Sequence, residues 1–192
     1  MKLILSSCDF RNDVSRDAIL QHLPKPIVDC RLLFIPNEKA TTEAIRSGKY
    51  HRRMSEFGFS EDRVAVFDYQ YPEAYMGMDI DVLYVSGGNT FVMLDRIRSS
   101  GFDVELIRYV RSGVTYIGGS AGAHIVTQDV SHVAEFDECP KGTTNLRGLG
   151  LFDGILVCHY TDERREHYER VTREGRFSVY ALADNDVIVI DE

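Results

Sequence analysis

Short, almost wholly apolar runs alternating with helical patterns constrain this chain more than any other feature. The runs fall at residues 3–5, 30–35, 64–67, 82–85 and 114–117. They do not alternate apolar with polar, so each reads as a strand buried on both faces, which a parallel sheet covered by helices provides. Helical patterns fill residues 14–23, 41–57, 91–99 and 104–111 between them. Pro24 and Pro26 end the first of these, Thr41 or Thr42 offers the second a cap, and Gly58 stops it. Residues 155–158 read as another buried strand, 162–174 as a charged helix, and 179–182 with 187–190 as a terminal hairpin. The expected architecture is a mostly parallel α/β sheet in one domain over residues 1–192, long enough to bury a sizeable core. The last strand ends almost at Glu192, which leaves a longer native chain open.

A net charge of −8 argues against a nucleic-acid partner, and Arg52-Arg53 and Arg164-Arg165 are only pairs. Cys8, Cys30, Cys139 and Cys158 are scattered with no C-x-x-C spacing. They read as reduced thiols in a cytoplasmic protein, with no metal site and no cofactor. The apolar run at residues 1–5 is too short for a signal peptide, and no stretch approaches a membrane span.

In a parallel α/β sheet, ligands bind at the carboxyl ends of the strands. Three polar clusters fall there: Ser86-Gly87-Gly88-Asn89-Thr90, Gly118-Gly119-Ser120-Ala121-Gly122, and His159-Tyr160-Thr161-Asp162. The second follows a strand and leads into a helix, the context in which G-x-S-x-G holds a serine on a sharp turn with its hydroxyl exposed. A serine nucleophile needs a base, usually a histidine oriented by a carboxylate. His22 and His51 lie in early helices, His167 in a charged helix, and His124 one turn beyond the serine; His132, in a loop, stays open. His159 directly follows a buried strand, so rigid backbone delivers its imidazole to the carboxyl edge. Between the serine and His159 stand Asp129, Glu135, Asp137 and Glu138 as candidate carboxylates. The Gly87-Gly88-Asn89-Thr90 turn presents amides to the same edge, where one of them and the Ala121 amide would make a two-donor oxyanion hole. Alone, the turn suits a phosphate equally.

The segments Tyr84-Val85-Ser86-Gly87-Gly88-Asn89-Thr90-Phe91, Tyr116-Ile117-Gly118-Gly119-Ser120-Ala121-Gly122-Ala123, Gly148-Leu149-Gly150-Leu151 and His159-Tyr160, in that order, resemble the peptidase E and cyanophycinase family of serine peptidases. Related glutamine amidotransferases place cysteine where Ser120 stands. The resemblance implies a flavodoxin-like three-layer sandwich, similar to class I glutamine amidotransferases, and a Ser-His-Asp triad. Ser120 would be the nucleophile, His159 the base, and Gly88 and Ala121 the oxyanion donors, with Asn89 and Thr90 lining the substrate site. The acid is expected in the loop after Ser120, at Asp137, with Glu135 as the alternative. Selection of N-terminal aspartate would rest on Arg165. Two departures stand out: Gly119 replaces a tryptophan found in peptidase E proper, and the run from Glu135 to Pro140 replaces an Asn-Asp-Met-Pro-like segment. The implied activity is hydrolysis of small peptides, Asp-X dipeptides among them, by a protein without cofactor or metal. Its partner would be the peptide, with no membrane and a homodimer left open. The alternatives are a binding or regulatory module with an altered triad, or a hydrolase of another acidic peptide or isopeptide.

Overall fold

A computed structural model describes residues 1–191. The strands are β1 (Lys2–Ser6), β2 (Leu32–Ile35), β3 (Val64–Val66), β4 (Val82–Val85), β5 (Thr115–Gly119), β6 (Ile155–Cys158), β7 (Val179–Leu182) and β8 (Val187–Asp191). The α-helices are α1 (Asp13–His22), α2 (Thr42–Arg46), α3 (Lys49–Phe57), α4 (Thr90–Ser99), α5 (Phe102–Arg111), α6 (Ala121–His124) and α7 (Arg165–Glu174). Six strands form one sheet in the order β3-β2-β4-β5-β1-β8, parallel except for β8. The mostly parallel α/β arrangement expected from the apolar runs is therefore present.

Successive strand residues point to opposite faces, and both faces are buried. Leu3, Leu5, Leu33, Ile35, Leu83, Val85 and Tyr116 pack against α4, α5 and the segment around α6. Ile4, Leu32, Phe34, Val82, Tyr84 and Ile117 pack on the other side with Phe10, Ile19, Tyr50 and Met54. The helices start where side chains satisfy their first amides: Asn12 accepts from Val14 and Ser15, and Asn89 from Val92.

Two expectations need correction. The helix predicted over 41–57 is two helices, because the chain turns through Ser47 and Gly48, the latter at φ 73°. The predicted terminal hairpin does not form. β7 runs parallel to β6 in a separate two-stranded sheet, whereas β8 lies antiparallel to β1, with Lys2 opposite Asp191. The four-residue connection between β7 and β8 resembles a hairpin turn, yet each strand finds more apolar cover on a different neighbour. Val171 of α7 packs under β6 with Val179, while Ile188 and Ile190 extend the main core. This divergence carries the β7–β8 connection over the carboxyl edge of β1. No described helix is long and apolar enough to cross a membrane.

Candidate active site

The carboxyl ends of β1, β4 and β5 lie side by side, with Ser6 opposite Gly119 and Val85 opposite Gly118. Ser120 follows β5 in a sharp turn at φ 50°, ψ −107°. A non-glycine residue rarely holds a positive φ. Among the described residues only Asp9, Ser120 and His159 do so, and all three meet here. The flanking glycines are needed for close approach: a Cβ on Gly118 would lie 2.6 Å from the Gly122 carbonyl oxygen, and one on Gly122 would collide with that of Val85.

His159 is placed from the end of β6. Its amide donates to Ser7 Oγ at 2.9 Å, and that hydroxyl donates to the Leu182 carbonyl at the end of β7. Ser7, fully buried, so ties together the ends of three strands. The His159 Nε2 lies 3.1 Å from Ser120 Oγ, and its Nδ1 lies 2.7 Å from Asp184 Oδ1. Hydrogen bonding from His159 holds the Asp184 carboxyl below its ordinary range. A hydroxyl, an imidazole and a carboxylate are thus in line, the order that lets the ring take the serine proton and the carboxylate stabilise the resulting cation.

The carboxylate at this ring is neither Asp137 nor Glu135, which corrects the sequence expectation. Asp137 Oδ2 accepts the Thr90 amide at 2.8 Å, at the start of α4. Glu135 pairs with His167 Nδ1 at 2.7 Å and with Arg170. The local pattern around Asp184 is that of a hairpin turn, which hides its place beside His159, since β7 and β8 pair with different strands. One signal was available: Asp184 stands two residues beyond an apolar strand, much as His159 follows another.

The remaining expected residues are placed as follows. No hydrogen bond among the described residues engages the amides of Gly88, which follows β4, or of Ala121, the residue after Ser120. A Cβ on Gly88 would collide with Glu38 and come within 2.7 Å of Met93 Sδ. Asn89 caps α4 and donates through Nδ2 to the Glu138 carbonyl at 2.9 Å. Thr90 is buried, its hydroxyl 3.4 Å from His124 Nδ1. Arg165 is exposed and paired with Asp162. The neighbouring Arg164 donates to the Cys158 carbonyl at 2.6 Å and stacks on Phe136. A cleft of about 510 Å³ opens at the amino edge of the sheet, where Asp79, Asp81 and Arg108 are each ion-paired; Ser120 is not part of it.

Comparison with known proteins gives the following matches. The family described as Peptidase family S51 matches residues 3–192. An uncharacterized peptidase of Listeria monocytogenes is 30% identical over 115 residues, 57% of this chain and 56% of the relative. Peptidase E of Citrobacter koseri is 31% identical over 113 residues, 58% of this chain and 48% of the relative. The matched stretch thus spans about half the length of these curated relatives. Among solved structures, a Listeria monocytogenes protein provisionally named peptidase E superposes with a TM-score of 0.71 at 21% identity, covering 98% of this chain and 97% of its own. A peptidase from an acI-B1 Actinobacterium gives 0.59 at 14% identity, covering 98% and 82%.

Proposed function

Since the chain belongs to peptidase family S51, we propose that it is a serine peptidase of small peptides, working through Ser120, His159 and Asp184. The observation that carries this reading is the single imidazole bridging Ser120 Oγ at 3.1 Å and Asp184 Oδ1 at 2.7 Å. His159 accepts the serine proton as Oγ attacks the peptide carbonyl, and the carbonyl oxygen gathers negative charge. The amides of Gly88 and Ala121, unengaged by other described residues, support that charge. The protonated imidazole then gives its proton to the leaving amine, and water repeats the sequence on the acyl-enzyme. Asp184 fixes the tautomer that leaves Nε2 free to accept. No metal is needed for any of these steps.

The narrower part of the reading is a preference for Asp-X dipeptides, which rests on the resemblance to peptidase E. Arg165, the residue expected to grip the aspartate, is occupied by Asp162 three residues earlier and must leave it to serve. The test is release of free aspartate from Asp-Leu by the wild-type protein, beside Ser120→Ala and with Ala-Leu and an isopeptide-linked Asp-Leu as controls. Cleavage lost in Ser120→Ala supports the serine mechanism, and cleavage of Asp-Leu alone supports the narrower preference. Undiminished turnover by Ser120→Ala overturns the proposal.

A further inference from the structure

Asp9 and Arg11 are built into the site without a part in the triad. Asp9 is 2% exposed and sits at φ 50°, two costly features at once. Its carboxylate fills the space that a side chain at residue 119 would need, so Gly119 is what admits it. There Asp9 Oδ1 accepts from Arg11 Nε at 3.0 Å and from the Arg11 amide at 3.3 Å, with the buried Tyr84 hydroxyl beside it. The Cys8 carbonyl takes a further bond from Arg11 Nε at 3.3 Å. The guanidinium is therefore oriented by its inner nitrogen alone. Neither terminal nitrogen hydrogen-bonds to a described residue, and the side chain is half exposed. A Cβ placed on Gly87 would lie 3.6 Å from Arg11 Nη2 and 3.4 Å from Ser120 Cβ, so the arginine faces the nucleophile across a gap kept open by a glycine.

We infer that Arg11 binds the α-carboxylate of the residue that leaves, making the protein selective for peptides that end one residue after the cut. A guanidinium with its outer edge unoccupied matches a carboxylate in two parallel hydrogen bonds. The side of the site identifies which carboxylate it meets. The imidazole must hand its proton to the leaving amine, so the leaving residue lies on the His159 side of Ser120. Arg11 is on that side: its Nε donates to the Cys8 carbonyl, and the Cys8 sulfur lies within 4.8 Å of a His159 ring nitrogen and of the Asp184 carboxylate. Asp9 is a positioning residue, acting only through Arg11.

This inference rests on the peptidase reading, and the experiment separates the two. Hydrolysis of Asp-Leu, Asp-Leu-amide and Asn-Leu is compared in the wild type, Arg11→Gln and Arg11→Lys. The wild type should favour Asp-Leu over its amide by about 10–100-fold in kcat/KM, the worth of a lost charge-assisted pair. Arg11→Gln should cleave the two alike, through loss on Asp-Leu and not on the amide, and Arg11→Lys should restore part of the ratio. The wild-type ratio needs no variant, so a folding defect in Arg11→Gln does not protect the idea. Equal rates on Asp-Leu and its amide in the wild type overturn it and leave the peptidase standing. Dependence on Arg11 that appears only between Asp-Leu and Asn-Leu overturns it too, by moving the arginine to the acyl side. No cleavage of any peptide removes both readings together.

Discussion

Lowering the pH from 7.5 to 5 should cost the fold about 4 kcal/mol, through two histidines outside the proposed triad. His124, at the end of α6, and His132 lie with their rings 6.0 Å apart. Burial lowers both to a pKa of about 3 from the ordinary 6.5, and each opposes charging of its neighbours. At His124 the opposing groups are His159, Arg164 and His167; at His132 they are His124, His167 and Arg170, with Asp129 acting in the other direction. His132 Nε2 is buried without a partner among the described residues, so a proton placed there gains no hydrogen bond. Both rings are neutral in the fold and take up protons once it opens. Between about pH 6.5 and 3 the unfolded chain binds more protons, so stability is full above that window and falls with pH inside it. At pH 5 each ring lies about 1.5 units below its unfolded value, which costs about 2 kcal/mol per ring. Against a typical total of about 5–15 kcal/mol, the loss is large. Carboxylates such as Asp81, held ionised by Arg31, enter only below about pH 4 and leave this window to the histidines. Urea unfolding followed by circular dichroism at pH 7.5, 6 and 5 measures the effect. His132→Phe, which keeps a ring but cannot titrate, should halve the slope. A change smaller than about 1 kcal/mol across that range would refute the reasoning.

Three further outcomes are expected. Asp184→Asn should lower kcat by on the order of 10³–10⁴-fold, while Asp137→Asn and Glu135→Gln keep most of it; steady-state kinetics on one peptide ranks the three. Ser7→Ala removes the hydroxyl that bonds both the His159 amide and the Leu182 carbonyl, and should destabilise by about 1–3 kcal/mol in chemical denaturation. Gly87→Ala should fold with an unchanged melting temperature, since its contacts of 3.4 and 3.6 Å are ordinary. Its methyl should nonetheless raise KM, because it enters the space between Arg11 and Ser120.

Much of the fold was legible because its strands announce themselves locally. Runs such as Leu3-Ile4-Leu5 and Val82-Leu83-Tyr84-Val85 have no polar face, and only a sheet covered on both sides accepts them. Ser120 was legible for the same reason, since strand, tight turn and helix all lie within a dozen residues. His159 was found by adjacency to a strand end. Asp184 was not, because its place depends on partners far away in sequence. Residues 179–182 and 187–190 satisfy every local criterion of a hairpin, and only competition from β6 and β1 for their backbone bonds separates them. Loop carboxylates such as Asp137 looked equally suitable in the sequence, and only packing shows that the Asp137 carboxylate is spent on the Thr90 amide. The role of Asp9 was hidden likewise: nothing near residue 9 announces that its carboxylate will occupy the space above Gly119.

The divergence of β7 and β8 also sets the order in which this site can come into being. Ser120 can be held in its turn once β1, β4 and β5 have joined, and the imidazole once β6 has followed. Asp184 is fixed between two strands anchored on different sheets, the second of them aligned along β1 from Ser6 opposite Val187 to Lys2 opposite Asp191. That last alignment completes the anchoring of the carboxylate, whose other side is held by the bond from Ser7 to the Leu182 carbonyl at the end of β7. A chain still emerging from the ribosome, with its earlier portions already compact, therefore brings Ser120 and His159 together before Asp184 joins them in the proposed triad.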